Sequence, residues 1–209
     1  MTPEDFLDTV REENKTPLSR LGSSKALYAD THGDLDKKPV LKAAATAEHT
    51  AAETFEAWAE SEENDTARAV FEAAAEDEYD HYEQVAAKLD DDDLGDRVPA
   101  IQTYLRDLED PIARLGGFCG RVLVARASKK QLVGFFVGKA DPKTSQLFRD
   151  LSSDLDEQEE QAVAALAELC DAEEDWATAL DAASEALQAA YREYTETLEG
   201  MGVNPKPVC

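Results

Sequence analysis

Cysteine is scarce in this chain, and its three copies stand far apart. Cys119, Cys170 and Cys209 form no Cys-x-x-C pair, which excludes a rubredoxin-type iron site or a zinc ribbon built on such pairs. An odd number of cysteines is typical of reduced thiols inside the cell, so we expect a cytoplasmic protein. Cys119 and Cys170 are expected to be small core residues, and the sequence assigns no role to Cys209.

Basic residues are few as well. Lysine and arginine number 21 against 46 aspartates and glutamates, which gives a net charge of −25. Such a charge argues against direct contact with nucleic-acid phosphates or with anionic membrane surfaces. The acidic residues are dispersed among apolar ones, a pattern typical of a folded cytosolic protein adapted to high salt rather than of a disordered acidic chain.

Long apolar runs are missing. No stretch approaches the roughly 18 apolar residues that a membrane-spanning helix needs, and no apolar signal segment is visible near the first residues. We therefore expect neither a membrane span nor a secretory leader. These absences leave a globular protein that does not bind membranes.

Helical periodicity dominates what is present, and it predicts an all-α fold in a single domain over residues 1–209. Short N-terminal helices precede a helical hairpin over residues 40–89. A second, degenerate hairpin covers 112–170, and a long helix covers 171–200. The apolar stripe of that last helix is expected to pack on the bundle or on a partner subunit, which makes a homodimer a prediction.

Three glycines interrupt the second hairpin near its beginning. Gly116, Gly117 and Gly120 fall within five residues of one another. Glycines so closely spaced predict either a close approach between two helices or a break in the helix. They do not form a phosphate-binding loop, because the Walker spacing and its Lys-Ser/Thr pair are absent.

Glu78 and His81 form the strongest motif for chemistry. Residues three apart on a helix lie on one face, so both side chains can reach the same small volume. A carboxylate and an imidazole together suit iron, manganese or zinc. The alternative is structural, with His81 partly buried and hydrogen-bonded to Glu78 or Asp77.

Glu48 lies on the apolar face of the preceding helix. A carboxylate on such a face costs free energy unless it is paired or bound to a metal. Glu48 stands about 15 residues before the turn of the hairpin and Glu78 about 15 after it, so the two should meet at one height. His49 points about 100° away from Glu48 and is not expected to be a ligand.

The second hairpin partly repeats this pattern of ligands. Asp141 and Pro142 predict its turn. After the turn, the segment from Glu157 to Glu160 aligns with the Glu-x-x-His unit and places a carboxylate where the histidine was. Before the turn, Arg126 stands where a glutamate would be needed. Glu157 and Glu160 are therefore the candidate metal ligands from this half.

The hairpin that contains Glu48, Glu78 and His81 resembles the first half of a rubrerythrin or other ferritin-like four-helix bundle. The whole chain is also similar to acidic proteins of this family from halophilic archaea, without a rubredoxin domain. The resemblance implies one or two iron or manganese ions and a role in peroxide reduction or oxidative stress. It implies Glu48, Glu78 and His81 as ligands, with Glu157 and Glu160 in the altered second half.

Two alternatives stay open at this point. In one, the bundle has lost its metal, and Arg126 or another base neutralises the carboxylates in a structural, interaction or regulatory protein. In the other, the bundle is a different enzyme, including a haem protein with His81 as axial ligand, against which the neighbouring acids Asp77 and Asp80 argue. The direction in which the basic residue points separates the first alternative from a metal protein.

Overall fold

The computed structural model describes residues 1–89, 94 and 97–206. Residues 90–93, an acidic run that the sequence predicts to be a solvated linker, and the terminal Cys209 lie outside the described residues. Within them the chain forms only α-helices, which confirms the all-α prediction. The nine helices of this described part are α1 Pro3–Glu13, α2 Lys15–Leu21, α3 Ser24–Asp30, α4 Lys37–Ser61, α5 Asp65–Ala86, α6 Ala100–Arg106, α7 Pro111–Gly138, α8 Pro142–Leu169 and α9 Glu173–Gly200.

Helices α4 and α5 form the predicted first hairpin. Asn64 caps α5 by accepting a hydrogen bond from the backbone N–H of Ala67, as a short polar side chain does at a helix start. Near the turn, the ring of Trp58 packs against Phe55 and Phe71, with centroids 5.6 and 4.9 Å away. These rings close one end of the hairpin and fix the height at which the two helices face each other.

Helices α7 and α8 form the second hairpin, and aspartates start both of them. The side chain of Asp110 accepts from the backbone at Ile112 and Ala113, and that of Asp141 accepts from Thr144. Each aspartate is followed by a proline in the first helical turn, where no N–H is needed. Helix α5 packs on α8, and the rings of Phe55 and Phe118, 4.9 Å apart, join α4 to α7.

Helix α9 packs along α7 inside the same chain. Its apolar stripe, which includes Trp176, Leu187 and Leu198, is buried there. Most of the stripe is therefore used inside the chain, although Leu180 and Tyr191 are only partly buried, and the homodimer stays a prediction. Gly116 and Gly120 do not break α7; the backbone of α9 lies directly against them.

No helix in the described ranges is both long and apolar enough to cross a membrane. The short helix α1 packs on α8 and α9, whereas α2 and α3 pack on α7 and α9. Thr2 caps α1, its hydroxyl accepting from the N–H of Asp5. The middle of the two hairpins, away from the aromatic end, holds the polar side chains discussed next.

Candidate functional site

Three side chains predicted as metal ligands come together in the middle of the molecule. Glu48 from α4 and Glu78 and His81 from α5 are buried, with at most 4% of each residue exposed. Each offers one ligand atom, and these atoms lie within 4.8 Å of one another. The hairpin brings them together because Glu48 and Glu78 stand at matching distances from its turn. By proximity alone, the three residues could hold one metal ion.

Two cations from α7 also lie in this cluster. The Arg121 guanidinium donates two hydrogen bonds to Glu78, with Nη1–Oε1 and Nη2–Oε2 distances of 2.5 and 2.7 Å. The Lys129 ammonium donates to both oxygens of Glu48 at 2.8 and 2.9 Å. Arg121 Nη2 also lies 3.5 Å from Glu48 Oε2. All four carboxylate oxygens therefore face a cation.

Helix α8 contributes neutral and acidic partners. The Gln158 amide donates to Glu78 Oε1 and to Asp77 Oδ2, both at 3.2 Å. His81 Nε2 lies 3.1 Å from a carboxylate oxygen of Asp154, which is half exposed. His81 Nδ1 is 3.8 Å from Glu78 Oε2 and has no hydrogen-bond partner among the described residues. The cluster thus reaches solvent through Asp154.

The pKa values of the cluster follow from burial and from these charges. Burial raises the pKa of Glu78, but the adjacent Arg121 guanidinium outweighs that effect and holds the pKa well below its usual range. Burial raises the pKa of Glu48, and the Lys129 ammonium only partly offsets this. Burial lowers the pKa of His81, but the neighbouring Glu78 and Glu48 outweigh it and raise the value overall.

The remaining predicted site residues lie elsewhere. Glu157 and Glu160 are exposed on α8, and Glu157 accepts a hydrogen bond from Gln161. The residue of α8 that enters the cluster is Gln158, one position after Glu157, because its neighbours at i−3 and i+4 are buried and fix the inner face of the helix.

Arg126 is not the basic residue of the cluster. It pairs with Glu159 and Asp156 at 2.9 and 2.8 Å. His49 is partly exposed and packs its ring 4.8 Å from that of Tyr82. As the sequence indicated for His49, it is not part of the cluster.

The sequence analysis did not predict three residues of the cluster, namely Arg121, Lys129 and Gln158. For Lys129, however, the sequence contains a feature that could have identified it. Lys129 stands on the apolar stripe of α7, three residues before Leu132 and seven before Phe136, both of them buried. Glu48 was identified because it is a charged residue on the apolar face of a helix, and Lys129 meets the same criterion. The glycines around Arg121 hide the stripe there, because glycine carries no side chain to define a face.

A metal centre does not fit this arrangement as it stands. A divalent ion at Glu48 and Glu78 would lie beside two fixed cations that already hold every carboxylate oxygen. Its entry would require Arg121 and Lys129 to leave the buried carboxylates to which they hydrogen-bond. Removing one partner of a buried ion pair typically costs about 3–5 kcal/mol. The arrangement instead neutralises two buried carboxylates with two buried cations.

Comparison with protein-family models, with curated proteins and with solved structures finds no match to this chain. The geometry of the cluster therefore carries the functional argument.

Proposed function

We propose that this chain is a ferritin-like bundle in which Arg121 and Lys129 take the place of a metal ion. On this proposal it acts as a metal-free interaction or regulatory protein and has no redox chemistry of its own. One observation carries the proposal: Arg121 hydrogen-bonds to Glu78 and Lys129 to Glu48, so that each carboxylate already holds a cation. Basic side chains directed at the carboxylates are what a bundle without metal requires.

The arrangement of the long helices supports the ferritin-like part of the proposal. Two helical hairpins, α4 with α5 and α7 with α8, face each other through the α5–α8 contact. Their polar cluster lies within the bundle, where four-helix bundles build metal sites from inward-facing side chains. The first hairpin supplies a Glu and a Glu-x-x-His unit, whereas the second supplies Arg121, Lys129 and Gln158 in place of further ligands.

A second candidate function has one observation in its favour. The ligand atoms of Glu48, Glu78 and His81 lie close enough together to bind one ion, and carboxylate with imidazole suits iron or manganese. Such a protein would act in peroxide reduction or oxidative stress. It would need Arg121 and Lys129 to move aside when the metal enters.

Metal analysis of the whole chain separates the two functions. We expect wild-type protein, purified anaerobically without an affinity tag, to contain far less than one iron or manganese per chain by elemental analysis. The double variant Arg121→Met, Lys129→Met should bind added Mn²⁺ more tightly than wild type, because it leaves two buried carboxylates unpaired. Arg114→Met is the matched control, since Arg114 forms a buried ion pair with Glu62 outside the cluster.

Two results would refute the metal-free proposal. About one metal ion per wild-type chain, lost in Glu78→Ala, His81→Ala, would refute the metal-free proposal and establish the second candidate. Equal Mn²⁺ affinity of wild type and the Arg121→Met, Lys129→Met variant, both at one ion per chain, would also refute it. It would show that the cations do not compete with metal.

A further inference from the structure

A cavity of about 140 Å³ lies beside the charged cluster, lined by residues of helices α2, α3, α4, α6, α7 and α9. Protein interiors are close-packed, and few voids are larger than a water molecule. Seven alanines line this one, among them Ala44, Ala125 and Ala190. A longer apolar side chain at any of several of these positions would fill the space. The sequence therefore keeps open a volume that larger side chains could have occupied.

The two ends of the cavity differ. Glu48, Arg121 and Lys129 line it and are at most 5% exposed, so they form its inner end. Arg97 and Glu193 also line it and are partly exposed, and they pair at 3.0 Å. This ion pair marks the end nearest to solvent. A molecule that enters past it meets mostly apolar walls before it reaches the buried charges.

Unused hydrogen-bonding groups face the same volume. An ammonium carries three N–H donors, and within the described chain Lys129 donates only to the two oxygens of Glu48. Gln102 lines the cavity and is 2% exposed, yet its side-chain oxygen has no partner among the described residues. A buried polar atom without a partner is unfavourable, and a ligand hydroxyl can both accept and donate.

We infer that this cavity binds a small neutral molecule that is mostly apolar and carries one hydroxyl group, of the size of phenol. The size follows from the volume, since a cavity of about 150 Å³ in another protein accommodates benzene. Neutrality follows from the inner end, where two cations already balance two carboxylates, and from the net charge of −25, which repels anions. The hydroxyl meets the hydrogen-bonding groups of Lys129 and Gln102.

This inference goes beyond the proposed function and stands on a different observation, since it concerns the space beside the cluster. A structural bundle needs no cavity, whereas an interaction or regulatory protein gains a means of responding to a small molecule. Ligand binding is measured in the presence of a chelator, without metal. A failure of the cavity inference can therefore be distinguished from a failure of the metal-free proposal.

The test is calorimetric titration of the full chain with phenol and, separately, with benzene. We expect saturable binding of one phenol per chain. Ala44→Leu and Ala125→Leu, which fill the cavity from α4 and α7, should abolish it. Ala164→Leu, the same change on the exposed face of α8, should leave it intact. Gln102→Leu should weaken phenol several-fold and leave benzene unchanged.

Chemical shifts of the wild-type backbone amides give a second readout that needs no variant. Phenol should shift the signals of Gln102, Val124 and Ser128, which line the cavity, and not that of Gln161 on the exposed face of α8. Absence of saturable binding would overturn the inference. So would binding that Ala44→Leu and Ala125→Leu both retain, or shifts spread over the surface.

Discussion

At the scale of single residues, the molecule depends on how its buried charges are matched. Lys129 and Glu48 are almost completely buried and hydrogen-bond to each other twice. Taking both charges out of water is costly, and their attraction repays that cost only while both are present. Each partner is therefore required chiefly because the other is there.

Replacing only one residue of this pair should lower the free energy of unfolding much more than replacing both. We expect Lys129→Met to lower the free energy of unfolding by about 3–5 kcal/mol, because it leaves Glu48 buried without its hydrogen-bonded cation. The double variant Lys129→Met, Glu48→Met should recover most of this loss, since two apolar side chains of similar volume need no partner. Urea unfolding monitored by circular dichroism measures both values.

An exposed pair supplies the control for this cycle. Arg192 and Glu185 lie 3.4 Å apart with more than half of each side chain exposed. Arg192→Met should change the free energy of unfolding by less than about 1 kcal/mol. If the Lys129→Met, Glu48→Met protein were no more stable than Lys129→Met alone, the idea that the loss comes from a carboxylate deprived of its hydrogen-bonded cation would be wrong.

At the scale of helices, the contact between α7 and α9 depends on glycine. A Cβ built at Gly116 would lie 2.7 Å from the Cα of Ala179, and one at Gly120 would lie 3.1 Å from that of Ala183. These neighbours are backbone atoms, which cannot move without moving α9. The glycines thus weaken α7 as an isolated helix but allow the two helices to pack closely.

Gly116→Ala should therefore destabilise the protein, although alanine favours a helix by about 1 kcal/mol over glycine. We expect a net loss of about 1–3 kcal/mol in the free energy of unfolding, the usual cost of overpacking. Gly134 lies on the same helix with open space around it, so Gly134→Ala should be neutral or stabilising. Thermal or urea unfolding of the two variants gives the comparison.

The contrast between these two glycines is the informative result. Equal stabilisation by both substitutions would mean that α9 shifts to accommodate a methyl group at Gly116. The contact between α7 and α9 would then not depend on glycine at this position.

At the scale of the whole molecule, the net charge of −25 dominates. Like charges dispersed over one surface repel one another and destabilise the folded state. Salt shortens the range of this repulsion from about 10 Å at 0.1 M to about 3 Å at 1 M. Interactions inside the protein, including the Arg121 and Lys129 ion pairs, are screened much less.

The thermal midpoint should consequently rise with NaCl between about 0.1 and 1 M, the range over which the screening length falls to about a third. The stability difference between wild type and Lys129→Met should change little over the same range, because that pair is buried. Differential scanning calorimetry of both proteins tests this. A midpoint that falls with salt would show that surface ion pairs outweigh the repulsion.

The sequence by itself determined the helical class, the first hairpin and the meeting of Glu48, Glu78 and His81. Helical periodicity and the distance of each residue from a turn are local properties, so they can be read along the chain. The same reasoning failed for Arg126, Glu157 and Glu160, for which sequence spacing predicted the wrong neighbours.

Only the tertiary structure decided which side chains of the second hairpin face the first. Rotating α7 or α8 by one residue moves each side chain about 100°, and that rotation is set by packing. On α8 it turns Gln158 inward and Glu157 outward. On α7 the contacts of Gly116 and Gly120 with α9 help to fix the rotation that directs Arg121 and Lys129 at the carboxylates. The charge state of the centre thus follows from how separate helices pack, which a linear pattern does not contain.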